Sequence, residues 1–125
     1  MMKKLIQIAA LTLGALTLNQ AMAHGAGKPL HGGIVQVAND VSFELVAEAD
    51  GATIYLVDHD APMSSKGITG KLTVLQGSNK TEVDVKEAGD NKLRVTGVKL
   101  GKGDKIVAVL NNVEGKTATV RFTVK

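Results

Sequence analysis

At 125 residues with no cysteine, the chain is sized for one domain held by its core alone, and disulfide scaffolds, thiolate metal sites and thiol catalysis are excluded. Phe43, Tyr55 and Phe122 are its only aromatic residues, too few for the exposed ring platforms that bind sugars, quaternary amines or stacked bases. The formal charge of +3 includes Lys3 and Lys4 of an N-terminal leader; without them thirteen basic residues face twelve acidic ones, and a net +1 makes no case for nucleic acid or an anionic membrane.

The leader is read from three features. Lys3 and Lys4 precede an apolar run from Leu5 to Leu18, and Ala21-Met22-Ala23 supplies the small residues that signal peptidase requires. The run falls short of the roughly 20 residues of a spanning helix. Residues 1–23 are therefore expected to be a cleaved signal peptide, and the mature protein to be periplasmic with no membrane insertion. Residues 24–33 form a Gly/His-rich N-terminal arm, mobile unless something ties it down. Residues 34–125 form the domain.

Strands follow in order. Ile34 to Ala38 is the first, closed by Asn39-Asp40. Val41 to Glu48 places Val41, Phe43, Leu45 and Ala47 on one face, with Ser42, Glu44 and Glu48 on a solvated one. Ala49-Asp50-Gly51 turns the chain into Ala52 to Val57, where Ile54 and Leu56 face inward and Tyr55 packs in the ordinary way with a solvated hydroxyl. A longer polar loop, Asp58 to Gly70, holds His59, Pro62 and Met63. Thr69 to Leu75 is a strand. Thr81, Val83 and Val85 then alternate with Glu82, Asp84 and Lys86, the cleanest amphipathic strand of the chain. Leu93 to Val98 follows, then Ile106 to Leu110, apolar throughout and so expected to be buried on both faces. The last strand alternates Ala118, Val120, Phe122 and Val124 with polar residues. Seven or eight short strands at this spacing, with Gly, Asn and Asp at the junctions, predict an all-β fold, an immunoglobulin-like antiparallel β-sandwich, with a barrel as the alternative.

Chemistry concentrates in the histidines. Cleavage after Ala23 makes His24 the N-terminal residue, whose amine and imidazole nitrogens form a chelate suited to Cu(II). His31, seven residues on, is a candidate for a further nitrogen. His59 lies between Asp58 and Asp60, carboxylates able to ligate or to orient an imidazole. Met63 is the only methionine left after cleavage, and thioethers suit Cu(I). Zinc accepts the same histidines and aspartates. The candidate metal residues are thus His24, His31, His59, Asp58, Asp60 and Met63. No enzyme activity is expected. Ser64 and Ser65 lack a nucleophile elbow, Glu44 and Glu48 belong to the solvated face, and Gly101-Lys102-Gly103-Asp104 lacks the spacing and helix of a phosphate loop.

His31-Gly32-Gly33-Ile34-Val35, Phe43-Glu44-Leu45-Val46 and Tyr55-Leu56-Val57-Asp58 with Pro62 after it resemble small exported proteins of heavy-metal resistance loci. They are also similar to the N-terminal β domain of periplasmic adaptor subunits of heavy-metal efflux pumps of the resistance-nodulation-division class. The chain shows none of the coiled-coil hairpin, lipoyl or barrel domains of an adaptor, so the resemblance implies a free-standing accessory to a periplasmic efflux component. It implies copper first, with zinc, silver and cobalt as alternatives, and no organic cofactor. Affinity for metal is expected to fall with acid, as protons compete for the imidazoles. The competing expectation is a metal-free interaction module that docks on an envelope complex through a sheet edge or loop end.

Overall fold

A computed structural model describes residues 27–125. The expected signal peptide, its expected cleavage site and His24 lie outside the described residues. Among the described residues there are nine strands: β1 (Ile34–Ala38), β2 (Val41–Glu48), β3 (Gly51–Asp58), β4 (Ala61–Pro62), β5 (Thr69–Gln76), β6 (Asn79–Glu87), β7 (Lys92–Thr96), β8 (Lys105–Val113) and β9 (Lys116–Thr123). The expected all-β antiparallel sandwich is present. The strand beyond the expected eight is the two-residue β4, which turns the start of the long loop back onto β3.

The strands follow the path β1-β2-β3-β7-β6-β5-β8-β9, every pair antiparallel. β6 joins the two layers: it pairs with β5 from Asn79 to Val85, then with β7 through Lys86 and Glu87. The ends of the path, β1 and β9, approach one another without pairing, so the sandwich nearly closes into a barrel. Tight turns set the registers. Asn39-Asp40 joins β1 to β2 and His59-Asp60 joins β3 to β4, each with two successive positive φ values, the conformation that matches strand twist across a two-residue hairpin.

Alternation decides what is buried. Phe43 and Leu45 of β2, Ile54 and Leu56 of β3 and Leu93 of β7 share one core with Leu72 and Val74 of β5, Ile106 and Leu110 of β8, and Phe122 of β9. The strand expected to be buried on both faces is not. β8 is central by pairing, between β5 and β9, yet Val107 is only half-buried and Val109 is 38% exposed, because no second layer among the described residues covers its outer side.

Candidate functional site

The site is built where the arm crosses the outer face of β2 and β3. In β2, Val41, Phe43 and Leu45 point into the core, so Glu44 points outward, opposite Tyr55 of β3. Strand alternation predicts a solvated carboxylate there. Instead Glu44 is buried, at 5% exposure, because residues 30–33 lie across it. Its Oε1 accepts the Leu30 N–H at 3.0 Å and lies 3.0 Å from His31 Nδ1; its Oε2 accepts the N–H groups of His31 and Gly33, both at 2.8 Å. Four donors meet the roughly four lone-pair sites of a carboxylate, which is thereby filled.

The two glycines of His31-Gly32-Gly33 make this crossing possible. Gly32 has φ of +73°, a conformation that side chains rarely adopt. Gly33 lies so close to β2 that a methyl group there would run into the Leu45 carbonyl oxygen and stand 2.9 Å from Val46 Cγ2. The arm expected to be mobile is therefore tied down over its described part.

Electrostatics fix the histidine. Burial opposes ionisation of Glu44, but hydrogen bonds from the Gly33 amide, the His31 ring and the His31 and Leu30 amides outweigh it and hold the carboxyl below its ordinary value. An ionised carboxylate only accepts, so the proton shared with His31 sits on Nδ1 and the ring presents Nε2 away from Glu44. The imidazole also stacks on Tyr55, ring centroids 3.6 Å apart and planes 5° from parallel. Tyr55 is therefore a platform for His31 rather than a residue in ordinary packing. A carboxylate on Nδ1 and an aromatic face beneath hold one rotamer, the arrangement that second-sphere partners give to metal-bound histidines.

The other candidates fall elsewhere. His59 is 86% exposed at the tip of the β3–β4 turn, its Nδ1 2.6 Å from Asp58 Oδ1. Asp60 beside it is exposed. A groove of about 760 Å³ runs along the outer face of β1–β3, from Leu30 and Glu44 past Tyr55 and Val57 to His59 and Asp60. Tyr55, which carries the His31 ring, and His59 in the turn after β3 thus line one groove, four residues apart, at most ~13 Å of chain. Met63 is half-buried and packs against the core, with its N–H bonded to the Leu56 carbonyl. Among the described residues no three histidine, aspartate or glutamate side chains gather closely enough to hold one ion. Ser65 is buried, its N–H bonded to the Asp90 carbonyl at 2.9 Å and its hydroxyl donating to the same oxygen at 3.2 Å, so it pins its loop.

Sequence reasoning missed Glu44 as the organising group. The available signal was the pairing of His31-Gly32-Gly33 with an acidic residue on an outward strand position. Compared with known protein families, curated proteins and solved structures, the chain matches none.

Proposed function

We propose that the mature chain is a periplasmic metal-binding accessory protein, taking copper first and zinc, silver or cobalt as alternatives, which buffers the ion or passes it to an efflux component without making or breaking a bond. The observation that carries this reading is the held His31 imidazole: Glu44 fixes its Nδ1 proton, Tyr55 fixes its plane, and Nε2 is left as the donor. Glu44 itself serves as the orienting group, since its oxygens already take four donors. The remaining nitrogens would come from His24, as imidazole and free amine once the leader is cut, with His59 and its Asp58 partner as a secondary donor on the same face.

The test uses protein processed by export, with intact mass confirming that it begins at His24, titrated calorimetrically with Cu(II), Zn(II), Ag(I) and Co(II). At least one ion should bind more tightly than about 1 µM. His31→Asn keeps a side-chain N–H for Glu44 and the three backbone bonds to it, but removes Nε2 and the ring stacked on Tyr55; it should lose that binding. If no ion reaches this affinity, or if His31→Asn binds as the parent does, the reading fails. A second reading, the metal-free interaction module, has one observation in its favour: the two open strand edges at β1 and β9.

A further inference from the structure

β1 and β9 end the strand path, face one another and share no backbone hydrogen bond among the described residues. On β9, Val124 continues the bonding toward β8, through its N–H to Asp104 and its carbonyl from Gly103. By the alternation of an antiparallel ladder, Thr119, Arg121 and Thr123 therefore turn their N–H and C=O groups away from β8, toward β1. Thr117 belongs to the same set, and its carbonyl accepts from Asn39 Nδ2 at 3.4 Å, which ties one end of the gap. On β1 the two-residue turn closes on the pair Ala38 and Val41, so Val35 and Val37 turn their backbone groups to the same gap. Beyond the Asn39 tie the gap opens into a groove of about 670 Å³, bounded by Ile34 and Val35 on one side and Arg121 and Thr123 on the other.

The charged side chains that line the groove are of one sign. Lys105, Arg121 and Lys125 line it with no acidic residue, and none of the three is in an ion pair among the described residues. Unpaired strand edges invite another strand, and a like-charged rim disfavours a second copy of this chain while favouring carboxylates. We propose that the β1–β9 groove docks an extended acidic peptide as an added strand, antiparallel to β9. Bonds to Thr119, Arg121 and Thr123 would give affinity. Arg121 stands on the outer side of β9 and Phe122 on the inner side, so the peptide would alternate carboxylates, set beside Arg121 and Lys125, with apolar side chains set beside Val120 and Phe122. This proposal is independent of the metal reading.

The experiment titrates the processed, ¹⁵N-labelled protein with a nine-residue peptide alternating glutamate and valine, and with its lysine–valine counterpart. The acidic peptide should shift the amides of Thr119, Arg121 and Thr123, protect them from exchange, and bind more weakly as salt rises. Arg121→Glu, an exposed change, should weaken binding by about tenfold or more. Thr123→Pro removes an N–H facing the gap, outside the β8 ladder, and should abolish the protection while leaving every charge in place. The proposal is overturned if the lysine peptide binds equally well, if Arg121→Glu binds unchanged, or if the shifts map away from β9. A dimer with these edges protected in the absence of peptide would assign the groove to a second copy and overturn it as well.

Discussion

Glu44→Gln tests the site at the point that organises it. The substitution keeps the shape of the side chain but replaces one acceptor oxygen with an NH₂ group. Turned one way, the N–H groups of His31 and Gly33 lose their acceptor; turned the other, the Leu30 N–H loses its acceptor and the His31 ring exchanges its charge-assisted bond for a neutral one by moving its proton to Nε2, so two charge-assisted bonds are lost either way. Hydrogen bonds to a charged group contribute ~1.5–3 kcal/mol each. The arm borders water, so the lower figure applies, and two lost bonds come to about 3 kcal/mol, roughly 150-fold in the equilibrium between tied and released arm. The core packs without these bonds, so release is local. Hydrogen exchange at neutral pH should show the amides of His31 and Gly33 losing most of their protection, while Ile54, Leu72 and Ile106 keep theirs. The His31 ring protons should also lose the upfield shift that Tyr55 imposes. Unchanged exchange at His31 and Gly33 would refute the carboxylate latch; parallel loss in arm and core would refute its local character.

Acid should release the arm. Its hydrogen bonds hold the Glu44 carboxyl below its ordinary value, so its contribution is complete above the ordinary carboxylate range and is lost as pH falls through the lower folded value; protection of the arm amides should collapse only at a pH below that ordinary range. Gly33→Ala forces a methyl group into β2 backbone and should destabilise arm docking by ~1–3 kcal/mol, read by the same exchange measurement. Tyr55→Leu removes the stacked ring and should cost about 0.5–1.5 kcal/mol of arm closure, with the Glu44 bonds retained. Asp84→Asn breaks an ion pair with Lys71 between two exposed side chains, and should leave the melting temperature unchanged within error.

Much of the fold was legible because one physical signal dominates it. Period-2 alternation with Gly, Asn and Asp at the junctions locates eight of the nine strands, and the core residues Phe43, Ile54, Leu72 and Phe122 are read directly from it. The missing strand, Ala61–Pro62, is too short to alternate and is set by the His59-Asp60 turn. The Ile106–Leu110 run misled because an apolar sequence reports β-propensity as well as burial, and Val109 sits on an uncovered face. The site was half legible. His31 stands out as a residue type in a glycine-rich stretch. Glu44 does not, because its outward position on a strand is the ordinary place for a charge, and only the arm folding back over it makes it buried.

On the proposed reading, the filled carboxylate would narrow what the site could hold. A glutamate with free lone pairs would offer oxygen to hard cations such as calcium or magnesium; Glu44 spends its lone pairs on Leu30, His31 and Gly33 and offers none. Its charge acts through the ring instead, making Nε2 of His31 a better electron donor. Met63 is partly buried against the core, and among the described residues it is the only thioether, so none is placed beside that ring to select Cu(I). What the arm presents is imidazole nitrogen, which suits copper in its divalent state, zinc or cobalt over the hard cations. On the proposed metal-binding reading, the same geometry would keep the cost of binding low, since a ring already fixed by Glu44 and Tyr55 has little rotamer freedom left to lose.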